Sequence, residues 1–283
     1  MTSSETLTIA NHDRDLAGLT YVYPVLSRRA GGVSVGINLN PNNACNWHCA
    51  YCQVPGLVRG GAPAIDLGRL EAELTGFLTA LVHGDYLQRH APEGARTIRD
   101  IAFSGNGEPT SATVFPEAVA LAARLRDEFG LGREVPLRVI TNGSLMGRAH
   151  VQEGIRRLAA AGGEVWFKVD GGTRAAIERI NGVVLDPSAV IRNLSRCCEL
   201  CPTWVQTCMF RWDGAPPPDE ELDAYMDLLA RVGVERLAGV LLYGIARPSM
   251  QVEASHLTPL AGEELERIAA RIRKQGLTVR VSP

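Results

Sequence analysis

Nothing in this 283-residue sequence approaches the roughly 20 consecutive apolar residues that a membrane-spanning helix requires, so no bilayer span is expected. The opening stretch, MTSSETLTIANHDRD, lacks a basic segment followed by an apolar one, so the reading predicts a cytoplasmic location rather than secretion. A large excess of charge of one sign is missing as well. With 29 basic against 31 acidic residues and a net charge of -2, no overall basic field draws in nucleic acid. Repeats, low-complexity tracts and long linkers are absent, and Ala215 to Asp219 (APPPD) is only a stiff loop. One domain is therefore expected, with an extension over 1–30, the main body over about 31–275 and a strand or tail over 276–283.

What is present is an alternation of short β-branched runs with amphipathic stretches. Candidate strands cover Val33 to Asn38, Asp100 to Ser104, Pro136 to Thr141, Glu164 to Val169, Thr203 to Met209 and Arg236 to Leu242. Leu70, Leu74, Phe77, Leu78 and Leu81 mark one helix face, and Leu222, Tyr225, Met226, Leu229 and Val232 another. Asp66 and Asp186 are placed to cap helix starts, while Gly130, Gly162, Gly233 and Gly276 stand where helical runs stop. Six strand-helix units around a parallel sheet follow, an α/β fold, with Leu277 to Val281 as an additional edge strand.

Seven cysteines in a chain expected to be cytoplasmic point to metal or catalysis rather than to a disulfide framework. Residues 45 to 52 read Cys-Asn-Trp-His-Cys-Ala-Tyr-Cys, a C-x3-C-x2-C run placed soon after the first predicted strand. Three close thiolates suit an iron–sulfur cluster, and three rather than four leave one iron open to a small molecule. A zinc site completed by His48 or a distant residue is the alternative, although zinc ribbons usually pair two C-x2-C knuckles. Of the other cysteines, Cys197, Cys198 and Cys201 fall at a predicted helix end and Cys208 within a predicted strand, so an auxiliary cluster would lack a shared loop.

The loop resembles that of the radical S-adenosylmethionine superfamily. The resemblance implies an incomplete (β/α)6 TIM-like barrel that carries a 4Fe-4S cluster on Cys45, Cys49 and Cys52. It further implies S-adenosylmethionine bound at the open iron, a 5′-deoxyadenosyl radical made by reductive cleavage, and an electron donor such as flavodoxin or ferredoxin. Tyr51 would then place backbone groups near the adenine, or pack its ring within the loop.

In a barrel of parallel strands, binding residues gather at the carboxyl ends of several strands, where the loops converge on one mouth. Ser104-Gly-Asn-Gly-Glu-Pro-Thr110 follows the second strand and is similar to the superfamily's Gly-Gly-Glu segment, so Gly105, Asn106, Gly107 and Glu108 are expected at the methionine ammonium. Thr141 and Asn142, in a Thr-Asn-Gly run after the third strand, are candidates for the ribose or form an ordinary turn. Lys168 and Asp170 are charges in an otherwise apolar strand, placed by alternation on one face. They read either as a simple ion pair or as catalytic or cofactor-binding groups, similar pairs in glycyl-radical activases lying against cofactor or substrate. Arg247, past the sixth strand, is suited to a carboxylate or phosphate, or to a surface ion pair.

Upstream, Tyr23-Pro-Val-Leu-Ser-Arg-Arg29 and the Gly-rich run to Pro41 resemble an Fe–S oxidoreductase group that includes the tRNA wyosine-synthesis enzyme. Arg28 and Arg29 are candidates for holding phosphate or carboxylate. No cysteine precedes Cys45, whereas the wyosine enzymes draw a second cluster from such residues. The expected activity is hydrogen abstraction from a small molecule, a peptide or a nucleotide. The alternatives are an activase for a glycyl-radical partner, wyosine-type tRNA modification, and a non-catalytic iron–sulfur or zinc sensor.

Overall fold

The computed structural model describes residues 7–8, 18–27 and 31–283. Arg28 and Arg29 lie outside the described residues. Strand β1 (Val22–Ser27) runs antiparallel to β2 (Gly32–Ile37). From β2 the sheet continues in parallel through β3 (Ile98–Phe103), β4 (Leu137–Thr141), β5 (Glu164–Lys168), β6 (Thr203–Trp212), β7 (Gly239–Gly244) and β8 (Val279–Ser282), in chain order. Helices α1 (Leu67–Val82), α2 (Phe115–Glu128), α3 (Ala149–Ala160), α4 (Arg174–Asn181), α5 (Pro187–Leu200), α6 (Asp219–Val232) and α7 (Gly262–Arg273) form the crossovers. Since β1 and β8 end the strand order without pairing to each other, the curled sheet is an incomplete barrel. No helix among the described residues is long and apolar enough to cross a membrane.

Strand alternation explains the two faces. Val35, Ile37, Phe103, Val139, Phe167 and Leu242 are all essentially buried in the core shared with the helices. Each such side chain contributes about 1.5–3 kcal/mol by leaving water. The alternate residues face the concave side, where Trp166, Trp204, Leu241 and Ile140 form a second apolar cluster.

Toward the amino ends of β2 to β5 this concave side carries a polar floor. Arg138 on β4 pairs with Asp100 on β3, and at 2.7 Å with Glu164 on β5. Ser34 on β2 donates to Asp100, and Trp166 Nε1 donates to Glu164 at 3.0 Å. The Arg138 guanidinium also lies 4.7 Å from the centre of the Trp166 ring. Removing a single partner strands a buried charge, here Asp100 at 2% exposure. Arg138→Met is therefore expected to lower stability by about 3–5 kcal/mol in urea unfolding; a loss under about 1 kcal/mol would show that the floor carries little.

The predicted caps hold: Asp66 accepts from the Arg69 backbone and Asp186 from the Ser188 backbone. Gly130, Gly162, Gly233 and Gly276 all have positive φ. Three differences stand out. β1 was not expected, and its Pro24 is tolerated because the strand lies at the sheet's edge. β6 runs on to Trp212 because Leu257–Pro259 pairs antiparallel with its last three residues. β7 starts at Gly239 rather than Arg236, which instead ends a short 3-10 turn and reaches Glu199 at 2.9 Å.

Candidate active site

The cysteine loop is held from three sides. Cys45 ends a two-residue strand, Ala44–Cys45, paired in parallel with Val58–Arg59. The backbone amides of His48 and Ala50 donate to the carbonyls of Asn181 and Ile180 at the end of α4. The Ser249 hydroxyl donates to the carbonyls of Ala50 at 2.6 Å and Cys52 at 3.2 Å, and Met250 N donates to Cys52 O at 2.9 Å. Gly182 lets α4 approach this closely, because it has φ +64 and a Cβ there would lie 2.5 Å from the His48 carbonyl.

Cys45, Cys49 and Cys52 all face one cavity of about 260 Å³ at the carboxyl ends of the strands. Burial, the main cause, pushes the Cys45 thiol up to about 11 and the Cys49 thiol up to about 12. Trp47 N points at Cys45 Sγ from 3.5 Å, and Asn181 Nδ2 donates to Cys49 Sγ at 3.4 Å. Among the described residues no group of three or more His, Cys, Asp or Glu is placed to hold a metal ion; the three thiols stand around a space rather than at a point.

The segment after β3 forms the next wall. Gly105 has φ +138, and a Cβ on Gly107 would lie 2.0 Å from the Ala44 carbonyl. Both glycines thus have a reason internal to the protein, Gly105 packing against Asn38 at the end of β2 and Gly107 against Asn40 and the Ala44 carbonyl of the cysteine strand. Glu108 is 3% exposed and accepts four hydrogen bonds. Its Oε1 takes Thr110 N at 3.1 Å, Thr110 Oγ1 at 2.6 Å and Thr141 Oγ1 at 2.6 Å, while Oε2 takes only Asn142 N at 2.7 Å. Burial raises its pKa and the four donors oppose that rise. Thr141 therefore faces Glu108 rather than the cavity, whereas Asn142 lines the cavity and donates to Asn46 of the cysteine loop at 2.9 Å. Asn106 also lines it, and its buried Oδ1 has no hydrogen-bond partner.

Lys168 and Asp170 separate in role. Lys168, one of two lysines in the chain, lines the cavity, with its ammonium 4.7 Å from the centre of the Tyr51 ring and 3.3 Å from the Tyr243 hydroxyl. Burial works against its charge, but Tyr243, Asp170 and Cys49 around it raise its pKa above the usual lysine value. Asp170, 3% exposed, makes no ion pair with Lys168. It accepts from Tyr51 OH at 2.5 Å, Asn181 Nδ2 at 2.8 Å and Cys208 N at 2.9 Å. Asn181 thus bridges Asp170 to Cys49, and Tyr51 is fixed by its hydroxyl. Arg247 lines the cavity and donates to Gln53 Oε1 at 3.4 Å.

The remaining cysteines do not assemble. Cys197 and Cys201 are buried core residues, bonded to Thr203 Oγ1 and Gly163 O, while Cys208 stands on the cavity wall. Sequence reasoning missed Asn181, Gln206, Tyr243 and Ser249. Asn181-Gly182 carried a readable signal, that of a helix end, and Tyr243 lies in the Leu-Tyr-Gly-Ile-Ala-Arg-Pro run that contains Arg247, whereas Gln206 and Ser249 carry no motif.

The fold has parallels among solved structures. SuiB of Streptococcus suis, in a structure bound to S-adenosylmethionine, is similar with a TM-score of 0.56 and 10% identity, over 88% of this chain and 50% of that one. A radical SAM methyltransferase from Sphaerobacter thermophilus gives 0.55 and 19%, over 88% and 66%. Spore photoproduct lyase gives 0.51 and 11%, over 87% and 75%. A curated relative, GTPase Obg of Brachyspira hyodysenteriae, is 29% identical over 125 residues, or 44% of this chain. The chain spans 15% of that relative's length and half of SuiB's. The narrower likeness to the wyosine-synthesis group rests on sequence motifs alone. Residues 39–229, more than half of the chain and including all three loop cysteines, match the family model of the Radical SAM superfamily, and the chain belongs to that superfamily.

Proposed function

We propose that this enzyme cleaves S-adenosylmethionine reductively at a 4Fe-4S cluster on Cys45, Cys49 and Cys52, supplying a 5′-deoxyadenosyl radical that takes hydrogen from a substrate. The observation that carries the reading is the convergence of three thiols from one loop, with carboxylate, amide and ammonium groups from three strand ends, on a single cavity. The donor set fits the group. Three thiols from one loop suit a cluster with one open iron, while Cys208, which also lines the cavity, comes from β6 rather than from that loop.

The walls fit the cofactor's amino-acid end. Asn106 Oδ1 is an unpartnered buried acceptor, and Glu108 Oε2 receives one donor where a carboxylate oxygen has room for two. Both would receive the ammonium, with Gly105 and Gly107 keeping the loop close to Cys45. Arg247 would receive the carboxylate. Asn142 borders the nucleoside side, and Thr141 serves by holding Glu108. Tyr51 is placed by Asp170, which we assign as a positioning residue. Lys168 sits where cofactor and substrate would meet. A one-electron donor such as flavodoxin or ferredoxin and a cytoplasmic setting belong to the same reading.

The test is direct. Protein purified and reconstituted anaerobically, then reduced with dithionite, is expected to turn S-adenosylmethionine into 5′-deoxyadenosine and methionine. A sample that holds four irons per chain and forms neither product overturns the proposal.

A further inference from the structure

Gln206 lies on β6 with its side chain in the cavity and is 1% exposed, yet its amide nitrogen has no hydrogen-bond partner among the described residues. Buried amide donors almost always find an acceptor, so this one points to an atom that the cavity receives from outside. The strand register puts Lys168 of β5 beside Gln206 on one side and Leu241 of β7 on the other. Two residues beyond Leu241, Tyr243 reaches back across β6 to meet the Lys168 ammonium at 3.3 Å. The neighbouring inward residues, Ile140 and the Trp166, Trp204 and Leu241 cluster, offer no acceptor to either group except through their backbone, which the sheet already uses.

We propose that Gln206 and Lys168 form a subsite that recognises a carboxylate on the substrate; the inference rests on the radical-enzyme reading only in calling that ligand a substrate. The Lys168 ammonium is a donor and the buried Gln206 atom left without a partner is its donor nitrogen, so the complement is an acceptor. The Lys168 ammonium faces the Tyr51 ring and the Tyr243 hydroxyl and makes no ion pair among the described residues, so the complement is an anion. A carboxylate offers two oxygens to the two donors and one negative charge to the one ammonium. A phosphate would bring up to two charges into a cavity that Glu108 already lines. Gln206 is thus a specificity residue, and Lys168 is the charge it works with.

The experiment measures binding of glutarate, its uncharged analogue glutaramide, and inorganic phosphate to the reconstituted protein by anaerobic equilibrium dialysis. Wild type is expected to hold glutarate more tightly than glutaramide or phosphate. Gln206→Leu and Gln206→Glu are expected to bind glutarate at least about tenfold more weakly, as loss of a charge-assisted hydrogen bond predicts. Gln206→Glu keeps the side-chain shape and decides the matter where the leucine variant does not fold. Equal glutarate binding by wild type and Gln206→Glu, or glutaramide held as tightly as glutarate, overturns the subsite. Tighter binding of phosphate overturns the carboxylate assignment. Formation of 5′-deoxyadenosine in the same wild-type sample separates the two ideas. Gln206-dependent glutarate binding by protein that makes none removes the radical reading and supports the subsite. Product formation with binding indifferent to residue 206 does the reverse.

Discussion

Cys49→Ala protein, reconstituted anaerobically, is expected to hold no stable four-iron cluster and to form no measurable 5′-deoxyadenosine. Cys49 is the middle thiol of the loop, and its partner Asn181 is itself fixed by Asp170, so the proposed ligand is anchored to a buried hydrogen-bond network. Two thiols cannot hold a cubane in which one iron is left open, and the cavity offers no histidine to stand in. Cys208 also lines the cavity, but it belongs to β6, where its backbone amide donates to Asp170. Iron and sulfide analysis with visible absorption reads the loss directly. A variant that retains four irons and the parental rate would remove Cys49 from the ligand set.

The second large effect is expected at Glu108, where two consequences combine. Glu108→Ala takes an acceptor from four donors, the two of Thr110, the Thr141 hydroxyl and the Asn142 amide, all buried at the junction of β3 and β4. Leaving them unpaired is expected to cost about 2–4 kcal/mol of stability. It also removes the carboxylate proposed for the methionine ammonium, which should weaken S-adenosylmethionine binding by about 10–100-fold. Calorimetric titration and urea unfolding of the same preparation separate the terms. Lost stability with unchanged cofactor affinity would leave Glu108 as a structural brace only.

Much of this was readable from residues alone, for reasons that can be named. The six parallel strands announced themselves because strands buried on both sides read as apolar runs, and the helices because Asp66, Asp186 and the glycines punctuate them. The cysteine loop was legible because its spacing is local. What escaped is what depends on tertiary neighbours. Lys168 and Asp170 share a sequence motif, but Asp170 lies past the end of β5, where Tyr51, Asn181 and the Cys208 amide claim its oxygens before Lys168 can. Gly105 and Gly107 line the cavity, but that their freedom also serves the packing against Asn38, Asn40 and Ala44 depends on neighbours far away in sequence. Gln206, in the middle of a β-branched strand, gives no sign in the sequence that its amide is left without a partner.

The polar floor divides the labour between the two ends of the sheet. Ser34, Asp100, Arg138 and Glu164, with Trp166 against them, tie four neighbouring strands together near their amino ends. The cysteines and the other cavity groups sit at the carboxyl ends. Damage to the tie should therefore show in unfolding, while changes at the opposite end should show in chemistry.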